Sequence, residues 1–276
     1  MKQFMGGGIK NILLKQGIYC SRVAPHSKLK SFFPMVYPIP IGNNFVRLGA
    51  ENDGGYIIPD DLVGIKACFS PGVGSNSKFE EDLALLGIPS FMADGSINQL
   101  PVQNIEFDFT KKNLSDRSTE TEIRLSDWIS NIFGDETGDF ILQMDIEGGE
   151  YAVIYDTPTE VLKKFRILAI EFHELDLLAS KGGFELIRFA FSKLLKIFSV
   201  VHIHPNNYRK PISIGEFLIP PYMEFTFLRN DRIRHINIKK KVDKDFQLSF
   251  PHYLDSPNTP KKLNYTLPEC WYSHKN

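Results

Sequence analysis

From about residue 66 onward, short apolar runs rich in β-branched and aromatic residues take turns with longer stretches whose apolar side chains recur at helical spacing. The runs at 66–69, 89–92, 105–109, 140–144, 167–172, 199–203 and 223–228 read as strands. A helix is predicted at 78–86, after the turn "SPGVGSNS", and another through Trp128 and Ile132, with Ser126 and Asp127 as its cap. "GFELIRFAFSKLLKI" at 183–197 carries apolar residues on one helical face. Alternation of this kind predicts a mainly parallel sheet covered on both faces, a doubly wound, Rossmann-like α/β domain.

The start of the chain follows another pattern. "MKQFMGGGIKNILLKQ" predicts an amphipathic helix after its glycines, expected to pack on the core. Lys10, Asn11 and Lys15 break its apolar residues, so it reads neither as a signal peptide nor as a membrane span. No repeat or low-complexity tract is found, and "HYLDSPN" and "SPNTPKK" read as an ordered surface tail rather than a second domain.

Composition narrows the classes. Among 276 residues, 32 Lys and Arg face 33 Asp and Glu, so no global basic field draws the protein to nucleic acid or anionic membrane. The run "NIKKKVDK" around 239–241 is short enough to be a solvated face. Cys20, Cys68 and Cys270 are too few and too scattered for a disulfide framework or a paired-cysteine zinc site. Cys68 sits in an apolar run and reads as core, and the expected setting is reducing and cytoplasmic.

Candidate chemistry gathers at predicted strand ends. In open α/β sheets, ligands bind beyond the carboxyl ends of the strands, near the switch in strand order. Gly72 and Gly74 follow the first strand and lead into a helix, which lets a ligand approach the backbone. The turn is not a Walker loop, and Asn76 stands where a dinucleotide fingerprint has its third glycine. Asp94, about twenty residues on, ends the second strand and is placed to accept from ribose hydroxyls. Turn and acid together indicate an adenosine-type ligand, a nicotinamide cofactor or S-adenosylmethionine. "LQMDIEGGEY" then puts Asp145 and Glu147 where the fourth strand stops, while Glu150 suits a helix N-terminus.

"FILQMDIEGGEYAVI" resembles the signature of FkbM-type methyltransferases, a class I S-adenosylmethionine-dependent family. "LGAENDGGYIIP", "FSPGVGSNSKFEEDLA", "LAIEFHELD" and "PHYLDSPN" resemble further pieces of that family, so the similarity runs over about 47–258. It implies a seven-stranded sheet in order 3-2-1-4-5-7-6 with the seventh strand antiparallel, a methyltransferase domain at 47–276 including its tail, and residues 1–46 as an N-terminal extension. It also implies that Gly72 and Gly74 shape the cofactor loop, that Asp94 holds the ribose, and that Asp145 sits beside the methyl donor. Ser70 stands where class I relatives carry an acid, so the methionine end of the cofactor is expected to be held differently.

An alcohol is a poor nucleophile and gains from a positioned base. His173, in "EFHELD", titrates in the right range for that role; the competing reading is a histidine fixed structurally by Glu171 or Glu174. His202 and His204 share a strand face. With Asp145 and His173 they offer a divalent-metal alternative, which the implied strand order opposes by a gap of roughly 10 Å at two strand spacings. The preferred role for His204, Asn206 and Asn207 is hydrogen bonding to substrate, and Asp53 with Tyr56 in "ENDGGYIIP" is read as a flap over cofactor or acceptor.

These expectations converge on an O-methyltransferase using S-adenosylmethionine. The resemblance alone implies its acceptor, a sugar hydroxyl of a glycan, polysaccharide or glycolipid. A NAD(P)-dependent oxidoreductase and a non-catalytic binding protein of the same fold are the alternatives.

Overall fold

The computed structural model describes residues 7–42, 44–103, 106–233 and 248–272. The basic run at 239–241 and residue 105 lie outside the described residues.

Seven strands form the central sheet: β1 (Ile65–Pro71), β2 (Ser90–Ala93), β3 (Phe107–Thr110), β4 (Asp139–Met144), β5 (Phe165–Phe172), β6 (Phe198–Pro205) and β7 (Met223–Arg229). They run side by side in the order β6-β7-β5-β4-β1-β2-β3. The five strands from β5 to β3 pair in parallel. β7 is antiparallel to both its neighbours, β5 and β6. The sheet is therefore mixed and mostly parallel. Its order is the one the motifs imply, with each predicted strand present and lengthened or shifted by one to three residues.

Alternate side chains of each strand enter different cores. Phe140, Leu142 and Met144 of β4 pack with Trp128 and Ile129 of α4 (Leu125–Phe133), Ile154 of α5 (Glu150–Asp156), Leu162 of α6 (Thr159–Leu162) and Phe191 of α7 (Lys181–Leu194). Ile141 of β4 and Ile167 and Ala169 of β5 face the opposite way. They meet Phe79 and Leu83 of α3 (Lys78–Leu85) and Tyr56–Ile58 of an antiparallel ribbon formed by Phe45–Gly49 and Gly55–Pro59. Burial on both faces explains why the strands read as continuous apolar runs, and all of β5 is buried. Aromatic pairs lock the first face: Phe69 meets Trp128 edge-on at 5.1 Å between ring centroids, a geometry worth about 1 kcal/mol beyond area burial.

Two local expectations need correction. α4 begins at Leu125, so Ser126 and Asp127 lie inside its first turn and cap nothing. Leu125 is buried with Trp128, and Ser118 Oγ accepts from the Arg124 N–H instead, which moves the start of the helix forward. α7 begins at Lys181 because Ser180 Oγ accepts from the Gly183 N–H at 3.0 Å.

The predicted opening helix exists as α1 (Gly7–Lys15), but Ile12 and Leu14 are not in the core: Ile12 is 59% and Leu14 45% exposed. The segment after it does pack. Leu29 and Phe32 of α2 (His26–Phe32), with Phe33 and Val36, join the core beside Phe184 and Trp271. Among the described residues, no helix is long and apolar enough to cross a membrane.

Candidate functional site

Strand order reverses between β1 and β4, and the loops at their carboxyl ends touch. A Cβ placed on Gly72 would lie 1.6 Å from the Asp145 carbonyl oxygen, so only glycine permits this approach. Gly72 has φ +86° and Gly74 φ +56°, conformations that suit glycine. The Gly74 N–H donates to Asp94 Oδ2 at 2.8 Å, tying the turn to the end of β2. Asp94 also accepts from the N–H and hydroxyl of Ser96. Burial pushes the Asp94 carboxyl upward, but the hydrogen bonds from Ser96, Gly74 and Ile97 hold it below the usual value.

Two adjoining cavities open here. One, of about 480 Å³, is lined by Gly72, Gly74, Asp94, Asn113, Asp145 and Glu147, among others. The other, of about 270 Å³, runs beside Asp53, Tyr56, Glu80, Gln143, Asp145 and Glu147. Asp53 and Tyr56 thus border the cleft, Tyr56 with its ring buried edge-on to Phe79.

Glu80 escaped the sequence reading. It lies on the buried face of α3 between Phe79 and Leu83, and a glutamate on an apolar helix face is the only local signal of it. Its carboxyl forms a short hydrogen bond with Ser70 Oγ, and Gln143 Oε1 lies 2.5 Å from the same hydroxyl. Ser70 is wholly buried and does not line this cavity, whereas Glu80, its partner, does. Burial raises Glu80 to about 7.

A third cavity, of about 250 Å³, lies against the same acids and is lined by Asp53, Asp145, Glu147, Glu171, His173, Asn206, Tyr208, Tyr222 and Thr259. His173, at the end of β5, stands between Asp145 and α5. Its Nδ1 is 3.0 Å from Glu150 Oε1, which also accepts from the N–H groups of Ile146 and Gly148. The partner that fixes His173 is therefore Glu150, not Glu171 or Glu174. Glu171 turns away to accept from Asn206 Nδ2 at 2.6 Å. His173 Nε2 faces Glu147 Oε2 at 3.5 Å and Asp145 Oδ1 at 3.8 Å. Burial lowers the His173 imidazole, yet Glu150, Asp145 and Glu147 outweigh it and raise its pKa. Asp145 is raised to about 7 by burial and by Glu147 and Glu150, against the pull of His173.

His204 and Asn207, expected at the substrate, do not line these three cavities. His202 Nε2 and His204 Nδ1 lie 2.9 and 3.2 Å from the same Asp255 Oδ1, on β6 beyond the intervening β7. They are likewise out of reach of Asp145 and His173 as partners for a metal. Asn207 accepts from the Thr259 N–H and donates to the Thr259 and Lys262 carbonyls, pinning the C-terminal segment. That segment is more than a surface tail: Asp255 and Asn258 are buried, and Thr259 lines the third cavity.

The Asp255 pair sets a pH dependence of stability. Burial opposes the Asp255 charge, but His202 and His204 hold its carboxyl far below the usual range; Asp255 and Glu224 raise His204 against its own burial. A depressed carboxyl adds stability that is complete above its unfolded pKa of about 4 and fades below it. A raised imidazole adds stability that is complete below about 6.5 and fades as pH climbs through its folded value. The stability advantage of the wild type over Asp255→Asn, read from urea denaturation, is therefore expected to peak near pH 5–6. A difference that stays flat from about pH 3 to 8 refutes this coupling.

Comparison with protein-family models and with curated proteins finds no match for this chain.

Proposed function

We propose that this chain is a class I, doubly wound methyltransferase of FkbM type that moves a methyl group from S-adenosylmethionine to a hydroxyl of a carbohydrate acceptor. One observation carries the reading. The two cavities that share the glycine turn are lined by Asp53, Glu80, Asp94, Asp145 and Glu147, and no lysine or arginine is among their described lining residues. Such a field attracts a nucleoside bearing a sulfonium and an ammonium. It repels the pyrophosphate of a nicotinamide dinucleotide, the alternative suggested by the glycine turn with Asp94.

In this reading Asp94 accepts from the ribose, the turn at Gly72–Gly74 makes room for the nucleoside, and Glu80 takes the methionine ammonium in place of the missing acid at Ser70. The acceptor lies in the cavity of Asn206, Tyr208, Tyr222 and Thr259, whose polar groups and stacked tyrosine rings suit a polyhydroxylated ligand. Transfer forms a C–O bond as the C–S bond breaks, with the pair remaining on sulfur as a thioether. The hydroxyl proton leaves at the Asp145–Glu147–His173 cluster.

Calorimetry on the full chain tests the choice of cofactor. S-adenosylmethionine is expected to bind and NADH to give no heat, and the reverse result ends the proposal. Glu80→Gln keeps the size and the Ser70 contact but removes the charge. It is expected to weaken S-adenosylmethionine about ten- to hundredfold, the range for loss of a charged hydrogen bond. Unchanged affinity in that variant removes Glu80 from the site. Labelled methyl donor, incubated with carbohydrate fractions, is expected to leave label in a saccharide; intact donor binding without turnover points to a non-catalytic binder.

A further inference from the structure

We infer that Asp145, Glu147 and His173 form a binding site for one divalent cation, placed between the nucleoside cleft and the acceptor cavity. One carboxylate oxygen from each acid and one histidine nitrogen lie within 4.8 Å of one another. Cation–donor distances of about 2.1–2.3 Å set neighbouring ligands about 3.0–3.6 Å apart, and the 3.5 and 3.8 Å separations at His173 Nε2 need only a small contraction.

The second observation is a buried, oriented histidine that faces a carboxylate oxygen without a partner. His173 is 6% exposed, and Glu150 occupies its Nδ1. Glu150 is itself wholly buried and held by two backbone N–H groups, so it accepts the Nδ1 proton and, in the neutral imidazole, leaves the Nε2 lone pair facing the two acids. A carboxylate behind a histidine is the usual device for orienting a metal-ligating imidazole. Asp145 Oδ1, facing that lone pair, is buried and has no hydrogen-bond partner. With the imidazole neutral, its Nε2 lone pair and the two carboxylates repel one another, and a cation at their centre reverses the sign. Among the described residues lining the neighbouring cavity there is no lysine or arginine to do so.

Two carboxylates and one imidazole suit Mn²⁺ or a similar first-row ion better than Ca²⁺, which prefers an all-oxygen shell. The cation's role in catalysis rests on the methyl-transfer reading, whereas its binding does not. Asn206, Tyr208 and Thr259 line the cavity beside these ligands, where a bound cation would take the acceptor hydroxyl and lower its pKa.

The test uses the full chain, stripped with chelator, desalted and titrated with Mn²⁺ while the free aquo ion is followed by electron paramagnetic resonance. One ion per chain is expected, with electron spin-echo modulation from a single imidazole nitrogen. His173→Gln is expected to abolish that modulation, and Asp145→Asn to weaken binding at least tenfold. Glu150→Gln is expected to cost about ten- to hundredfold in affinity through loss of orientation. Circular dichroism checks each variant, and the wild-type titration and its nitrogen signal decide the matter if a variant unfolds. Wild type that binds no stoichiometric Mn²⁺, or binding without imidazole modulation, overturns the site; His173 would then sit among its carboxylates as an imidazolium. S-adenosylmethionine titration in chelator separates the two readings: metal without nucleoside keeps the cation site and sinks the methyltransferase, and nucleoside without metal does the opposite.

Discussion

His173→Ala is expected to lower methyl transfer to a saccharide acceptor by about 10²–10⁴-fold, the range for loss of a positioned acid–base group or of the ligand that holds a cation in that role, while S-adenosylmethionine still binds. The side chain is the one histidine among the described lining residues of the third cavity, and its Nε2 points at the acids that border the glycine-turn cavities. Removing it leaves the neighbourhood standing. Tyr151 donates to the His173 backbone carbonyl at 2.8 Å, and Glu150 keeps its two backbone donors, so neither anchor depends on the imidazole. The loss should appear in kcat, with donor affinity close to that of the wild type, because the proposed cofactor contacts lie at Asp94, Glu80 and the glycine turn. Transfer at the wild-type rate in this variant would take His173 out of the chemistry. Loss of donor binding together with transfer would show that the imidazole supports the fold rather than the reaction.

Gly72→Ala is expected to destabilise the protein severely. A Cβ there lies 1.6 Å from the Asp145 carbonyl oxygen and 2.7 Å from its carbonyl carbon, both backbone atoms that no rotamer change can move. The positive φ of +86° adds strain of about 1 kcal/mol for any residue with a side chain. Relief requires the turn to part from the β4 exit, so a stability loss of about 3 kcal/mol or more is expected in urea denaturation, with nucleoside binding abolished. Gly74→Ala is the matched comparison. Its added methyl meets nothing within 4 Å, so only the cost of its φ of +56°, about 1 kcal/mol, remains. Equal losses at the two positions would mean that the close approach of Gly72 to Asp145 is not what holds this junction together.

The path from sequence to site is uneven. Strands and helices were legible because their signal is local: a strand buried on both faces shows as a continuous apolar run, and α7 shows its buried Phe184, Ile187, Phe191 and Leu194 at helical spacing. Boundaries moved where a neighbour intervened, as when burial of Leu125 drew α4 forward past Ser126 and Asp127. The exposure of Ile12 and Leu14 was not legible, since an amphipathic pattern names a face without saying what covers it.

From the sequence alone came the alternation that builds the sheet, the exits of β1, β2 and β4, and the prospect that Gly72, Gly74, Asp94 and Asp145 share a crevice there. Tertiary structure alone decided which side chain answers which. It turned Glu80 inward to Ser70 and Gln143, set Glu150 rather than Glu171 or Glu174 behind His173, and gave Asp255 to His202 and His204. The physical reason is range. Periodicity is set by neighbours a turn or a pleat away, whereas a carboxylate finds its partner across elements that only the packed fold brings within 3 Å or so.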